Sequence, residues 1–472
     1  MKTKSILLFI LFLGISAVNA QVKYTLDDAV NEALKNNANV KVALLDITKA
    51  EAAVKEAFGY ALPTVDLSTS FSHFLEVPKM PFPNFEAMLK NATYSILFDE
   101  SVLARDNNKF LPMETSLQSF SQKNNFDASL KVTQILFNSA VFRGISASGI
   151  YLDLSKEKLN AVTSKTVLEV KKAFNGVILS REMVKILEAS LKNAEENLSN
   201  INALFKQGLV SEYDQLQVEV QVENIKPKLA ELKKALEDAK NGLKVIMGVE
   251  QSLPIDVEGS IEYNPGVFQS EEELVELALI KNGDLRTLSL KKKVDEEFIA
   301  VERANYWPML TAFGNYSYAG SSDEWNFQTY SSTTVGLNLS INLFSGNRHS
   351  KRVEQATIST IQTGEQISLM KQFLAQQVKS KLMEIKKVQS QISALERNVK
   401  LAERAYEIAK TRYNTGKGTQ LEIKNADLEL STAKINRIQS VYNFIVSRAE
   451  LEDLLGDVDA KYTDAVKRKI EN

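Results

Sequence analysis

The chain has 472 residues, 44% of them hydrophobic and 25% charged, with no cysteine and only two histidines. That balance excludes a polytopic helical membrane protein and a disordered chain, and the missing thiols exclude a disulfide framework and thiolate metal sites. His73 and His349 lie far apart with no carboxylate pattern beside them, so no metal, cofactor or catalytic residues are expected and the chain does not read as an enzyme.

Residues 1–20 predict a secretory signal: Lys2 and Lys4, an apolar run from Ser5 to Ala17, and Val18-Asn19-Ala20 as a small-residue cleavage site. The run is shorter than the ~20 apolar residues that a spanning helix needs. Losing two lysines moves the formal net charge from −2 to −4, which offers no basic footprint for nucleic acid.

A helical stretch is predicted from Leu26 to about Ala61, ended by Pro63. The period then changes to two. Val65, Leu67, Thr69 and Phe71 alternate with Asp66, Ser68, Ser70 and Ser72, and after a loop at about 72–126 a second strand alternates Phe126, Ala128, Leu130 and Val132 with polar residues. From Ser139 to Gln207 no proline interrupts the pattern, a rod of roughly 100 Å at 1.5 Å per residue. Val184, Leu187, Leu191, Ala194, Leu198, Ile201 and Phe205 form its coiled-coil seam. After Gly208 the chain returns as a helix to about Met247, with a kink expected at Pro227.

The same order then repeats. Ala33–Lys41 falls on Ala278–Arg286 at an offset of 245 residues, and Gly208 falls on Gly416 at an offset of 208. The second copy predicts a helix from Glu272 to about Tyr306, a strand with Leu310, Ala312, Gly314, Tyr316 and Tyr318 on one face, and another from Val335 to Leu343. A second rod runs from Ser350 to Thr415, with a seam of Ile392, Leu395, Val399, Ala402, Tyr406, Ala409 and Tyr413, and a return to about Leu455. The predicted organisation is a signal at 1–20, a first repeat at 21–248, a linker at 249–270, a second repeat at 271–456 and a tail at 457–472. The offset change places 38 extra residues in the first repeat, between about Ser72 and Phe126.

Four strands of about ten residues, alternating apolar with small polar, carry the weak signature of an outer-membrane barrel; a half-buried soluble sheet gives the same alternation, and the long rods shift the balance to the barrel. Four cannot close one, and an open edge in lipid strands backbone groups at several kcal/mol each. If these strands lie in a membrane the chain must oligomerise, and three chains, giving 12 strands, are the smallest number that leaves a lumen. The fold class is thus mainly α with membrane β. Duplicated helix-strand-strand-helix-helix units supply two strands each, with the 72–126 loop on the extracellular side if the strands span a membrane.

The helix-to-strand junctions at Pro63 and Pro308, the strand ends Leu136-Phe137-Asn138 and Leu343-Phe344-Ser345-Gly346, and the turns Gly208-Leu209-Val210 and Arg412-Tyr413-Asn414-Thr415-Gly416 together resemble the TolC family of outer-membrane efflux channels. The resemblance covers nearly all of the mature chain. It implies a homotrimer whose 12-stranded β-barrel, four strands per chain, is continued by a long α-helical coiled-coil tunnel, the exit duct of an efflux pump or type I secretion system, set in outer-membrane lipid with its helices in the periplasm. It would passively export small molecules or polypeptides, working with a periplasmic adaptor and an inner-membrane transporter. It also implies that Gly208, Leu209 and Gly416 dock the adaptor, and that Asp214, Tyr413, Glu422 and Asn425 belong to a periplasmic gate. Gly418 stands where the family's best-known member has an arginine, and Asn425 where it has an aspartate. The competing reading is a periplasmic coiled-coil adaptor or structural spacer without a channel, though no lipoyl-like module is visible.

Overall fold

A computed structural model describes residues 22–266, 269–457 and 462; the expected signal at 1–20 and nearly all of the tail at 457–472 lie outside these. The chain divides into a helical unit (to Val54, Ala147–Glu297 and from Gln355) and a sheet unit (Lys55–Ser146 and Phe298–Glu354). Each unit draws on both sequence repeats.

In the helical unit, β1 (Val22–Tyr24) pairs in parallel with β6 (Ile255–Val257), a short two-stranded sheet. The predicted Leu26–Ala61 helix is two helices, α1 (Leu26–Asn36) and α2 (Ala38–Gly59). Asn37 breaks it because its side chain competes with the helix: Oδ1 accepts the Asn39 N–H at 2.8 Å while Nδ2 donates to the Ile246 carbonyl at 2.8 Å. The second repeat is corrected in the same way. It contains α6 (Glu271–Lys281) and α7 (Gly283–Ala304), and Asn282 accepts from the Leu285 N–H at 3.0 Å and donates to the Leu454 carbonyl at 3.1 Å.

Both rods are present as α4 (Ser139–Lys206) and α8 (Arg348–Asn414), returning as α5 (Glu212–Met247) and α9 (Gln420–Leu454). Helix α5 continues through Pro227. Each repeat builds its own apolar core: Val30, Leu34, Leu159, Phe174, Leu243 and Met247 in the first, Leu274, Leu382, Ile385, Ile392, Phe444 and Leu451 in the second. Of the predicted seams, Val184, Ala194, Ile201, Ile392, Tyr406 and Ala409 are buried. Phe205 is not; it lies exposed in the last turn of α4, where the rod runs out of partner.

The sheet unit holds β2 (Thr64–His73), β5 (Asn124–Phe137), β7 (Met309–Ser322) and β8 (Gln328–Ser340) in one antiparallel sheet of order β2-β5-β7-β8. Strand β8 stops at Ser340, so Ile341 and Leu343, expected on its apolar face, belong to the irregular run before α8. Four helices join one end of the sheet. The other end carries the β7–β8 turn and the long insertion, which is not a plain loop. It folds into the hairpin β3 (Met80–Pro83) with β4 (Thr115–Gln118) and the helix α3 (Phe85–Asp99). Asn91 fastens α3 to the return segment, donating to the Leu111 carbonyl at 2.8 Å and accepting its N–H at 2.7 Å.

Candidate functional site: an open sheet and two helix turns

The register puts the apolar positions of all four strands on one face. Val65 lies opposite Val132, Leu67 opposite Leu130 and Phe71 opposite Phe126; Leu130 meets Tyr316, and Leu310, Ala312 and Gly314 meet Leu339, Leu337 and Val335. Most of these side chains are solvent-exposed in the single chain, Val335 to 80%. An apolar surface of this extent needs a cover. The reverse face carries Asp66, Ser68, Asp127, Ser129, Lys131, Asn315 and Ser317, tied by the Ser68–Ser129 hydroxyl pair at 2.7 Å and by Ser317 donating to Asp127 at 2.6 Å.

Aromatic rings frame the apolar face. At the end away from the helices Phe71 stacks on Trp325 with centroids 5.8 Å apart, and Phe327 sits edge-on to Phe126 at 5.3 Å. At the helical end Tyr60, Tyr306 and Trp307 are exposed. Strands of 14 residues, at about 3.3 Å each and the tilt of about 40° usual in barrels, cross roughly 35 Å. That matches the roughly 30 Å hydrocarbon core of a bilayer, with aromatic rings at both ends as interfacial girdles have. No described helix is long and apolar enough to cross a membrane.

In the helical unit, Gly208 and Gly416 both have φ +71°. Each closes its rod with the same pair of bonds: Gly208 N–H to Phe205 and Leu209 N–H to Leu204, Gly416 N–H to Tyr413 and Lys417 N–H to Arg412. This is the Schellman closure, in which a residue without Cβ reverses the chain. No atom lies within 4 Å of where a Cβ would stand on either glycine, so only the backbone angle demands them. Leu209 is exposed at the head of the turn.

Asp214 completes a capping box at the start of α5, its N–H donated to Ser211 Oγ at 3.2 Å and its carboxylate accepting the Ser211 hydroxyl at 2.6 Å. Tyr413 packs against Tyr406, Ala409 and Ile423. Glu422 stands third in α9, where Thr419 caps its N–H, and its carboxylate is 3.6 Å from the Arg412 guanidinium. Asn425 is exposed on α9. The structure brings Tyr413 and Glu422 to the same turn; within the chain no bond joins Asp214 to Tyr413 among the described contacts.

Sequence reasoning missed the polar core beside this turn. Asp427 is buried between helices and accepts the Ser190 hydroxyl at 2.5 Å, with Asn193 a further donor. Burial pushes its carboxyl above the usual 3.8, against the Ser190 and Asn193 hydrogen bonds and Lys434. Asn197 donates to Gln420 at 2.8 Å. Nearer the cores, Glu450 receives Lys172 at 2.6 Å and Lys381 at 2.7 Å. Burial works against its charge, and the two lysines outweigh that and hold it below the ordinary 4.5. A period-of-seven reading flags apolar seams, and these polar residues sit inside them without a signal of their own.

A sheet that is apolar outside, open at both edges and joined to duplicated helical hairpins defines an outer-membrane channel protomer. The model of the outer membrane efflux protein family matches residues 89–249 and 274–457, and the chain belongs to that family. It is 22% identical over 254 residues to the alkaline protease secretion protein AprF of Pseudomonas aeruginosa, covering 52% of each chain. To outer membrane protein TolC of Salmonella enteritidis it is 22% identical over 275 residues, covering 56% of this chain and 55% of the relative. The chain thus aligns with about half the length of the curated relatives it matches. The solved structure of CusC superposes with a TM-score of 0.71 over 93% of both chains at 18% identity, a likeness of fold.

Proposed function

We propose that three copies close a 12-stranded barrel in the outer membrane and that the protein is the passive exit duct of an efflux or type I secretion assembly. The observation that carries this is the open sheet: β2 and β8 each pair on one side only, while the apolar face requires lipid. An unpaired strand edge in lipid costs several kcal/mol per exposed backbone group, and joining β2 of one copy to β8 of the next removes both edges. The polar reverse face then lines the lumen. Energy for export comes from an inner-membrane transporter reached through a periplasmic adaptor, and the cargo is small molecules or polypeptides.

Gly208, Leu209 and Gly416 form the adaptor-docking tip in this reading, and Asp214, Tyr413, Glu422 and Asn425 the gate beside it. In the same reading the first repeat runs over 21–248 and the second over 271–456, each with one long helical hairpin, α4–α5 and α8–α9. Electron microscopy of the detergent-extracted particle tests the assembly: a three-fold particle is expected, and a monomer or dimer overturns the reading. Leu209→Asp tests the tip, because it alters an exposed side chain and no φ angle. Export should fall at least tenfold with trimer abundance unchanged; unchanged export removes Leu209 from the docking surface.

A further inference from the structure

The insertion at 74–123 carries apolar surface that its own fold does not use. Helix α3 turns Ala87, Asn91, Tyr94 and Phe98 inward, where Phe98 meets Phe110 edge-on at 5.9 Å and Asn91 holds Leu111. Its opposite side presents Phe85, Met88, Leu89, Ala92 and Ile96 to solvent, a continuous stripe at helical spacing. The module is not a loose tether. Phe74 N–H donates to the Lys123 carbonyl at 2.7 Å, and Lys123 N–H donates to Asp323 of the β7–β8 turn at 2.9 Å.

We propose that this stripe packs against the insertions of the neighbouring copies around the channel mouth, an inference that rests on the trimeric duct reading. Three observations choose a second copy as the occupant. The insertion leaves β2, the edge strand whose free backbone another copy must cover, so it emerges at the boundary between copies. It departs at His73, past Phe71 and Trp325 of the distal aromatic girdle, so hydrocarbon is not available to cover the stripe and water would face it. Residues 74–123 hold six acidic and five basic side chains, so three insertions can meet without repulsion of like charge. Exposed apolar stripes of this kind mark protein contacts, and three copies tethered to one rim meet at high effective concentration.

The absence of cysteine in the whole chain makes the test direct. Leu89→Cys and, separately, Ile96→Cys are introduced and outer-membrane preparations are treated with a short bis-maleimide. Lys90→Cys, on the polar flank of α3, serves as the control. More than half of the Leu89→Cys or Ile96→Cys chains should run as covalent dimers on a denaturing gel, against less than a tenth for Lys90→Cys. Particle symmetry is read independently by electron microscopy on the same material. A three-fold particle whose two stripe cysteines stay uncrosslinked overturns the proposal, whether they label freely with a water-soluble maleimide or are shielded by another occupant. A particle without three-fold symmetry overturns the duct reading itself.

Discussion

The helical unit is held in opposite ways where α5 and α9 end and where they begin. At their ends, two apolar cores meet the Asn37 and Asn282 joints, and Gly248 and Gly456 lie against the backbone of α1 and α6. At the beginning of α9 the apolar cluster is small, built on Tyr406, Ala409 and Ile423, and polar contacts join Asp427 to Ser190 and Asn197 to Gln420. Stability in a protein is distributed unevenly, and the segments that move are drawn from its low end. The joints are built to stay, the turns to yield.

Four glycines at left-handed φ put this contrast to its hardest test. A Cβ on Gly248 would stand 2.6 Å from the Asn36 carbonyl oxygen, so Gly248→Ala should cost about 4 kcal/mol, strain and displaced backbone together. Gly208→Ala, at nearly the same φ but in open space, should cost only about 1 kcal/mol. Urea midpoints of the purified variants measure the difference, and equal losses would erase the distinction between joint and turn. Core truncations come next in size. Leu382→Ala should cost about 3 kcal/mol, whereas Ile423→Ala, in the small cluster, should cost less than half of that.

Acid should act on the two ends with opposite sign. The Asp427 carboxyl is raised above 3.8 by burial, so the folded state binds its proton more tightly than the unfolded state does. Between 3.8 and the raised value, stability therefore falls as pH rises, and acidification tightens the turn. Glu450 is lowered below 4.5 despite burial, through Lys172 and Lys381. Its contribution is present above 4.5 and is lost as pH falls through the lowered value. Amide exchange near Asp427, expressed relative to the intrinsic rate at each pH, should slow as pH is lowered towards 3.8, while that around Glu450 does not slow. Asp427→Asn should abolish the slowing, and its persistence would move the effect to another group. The smallest change is expected for Glu422→Gln, which loses an exposed contact with Arg412 worth a few tenths of a kcal/mol. A large rise in single-channel conductance with so small a stability change would mark Glu422 as part of the gate, and no rise would leave it a helix-start residue.

The duplication, the four long strands of the open sheet and both rods are legible because their signals are periodic and occur twice. Val65 to Phe71 and Leu310 to Tyr318 alternate as strands must, and the structure aligns their apolar members on one face. The joints were hidden because Asn37 and Asn282 interrupt otherwise helical composition through side-chain bonds to carbonyls 209 and 172 residues away. The insertion was hidden for a related reason. Its order depends on Asn91 reading the backbone of Leu111 and on Phe82 meeting Phe120 at 5.1 Å, contacts that no local pattern announces. At the turns, Gly208 and Gly416 were visible as breaks, while Asp427 stood unmarked within a seam.

The paired joints also bear on how such a protein can change length over evolutionary time. Helices α5 and α9 have 36 and 35 residues and are stopped by glycines whose places are fixed by contact with α1 and α6. Adding one residue to either would advance it by 1.5 Å and rotate its far end by about 100°, carrying its turn out of line with the other. Lengthening is tolerable only when both repeats, and both rods that face them, gain whole heptads together. Duplication thus made the reach of the hairpins a property that two distant stretches of gene must alter in concert.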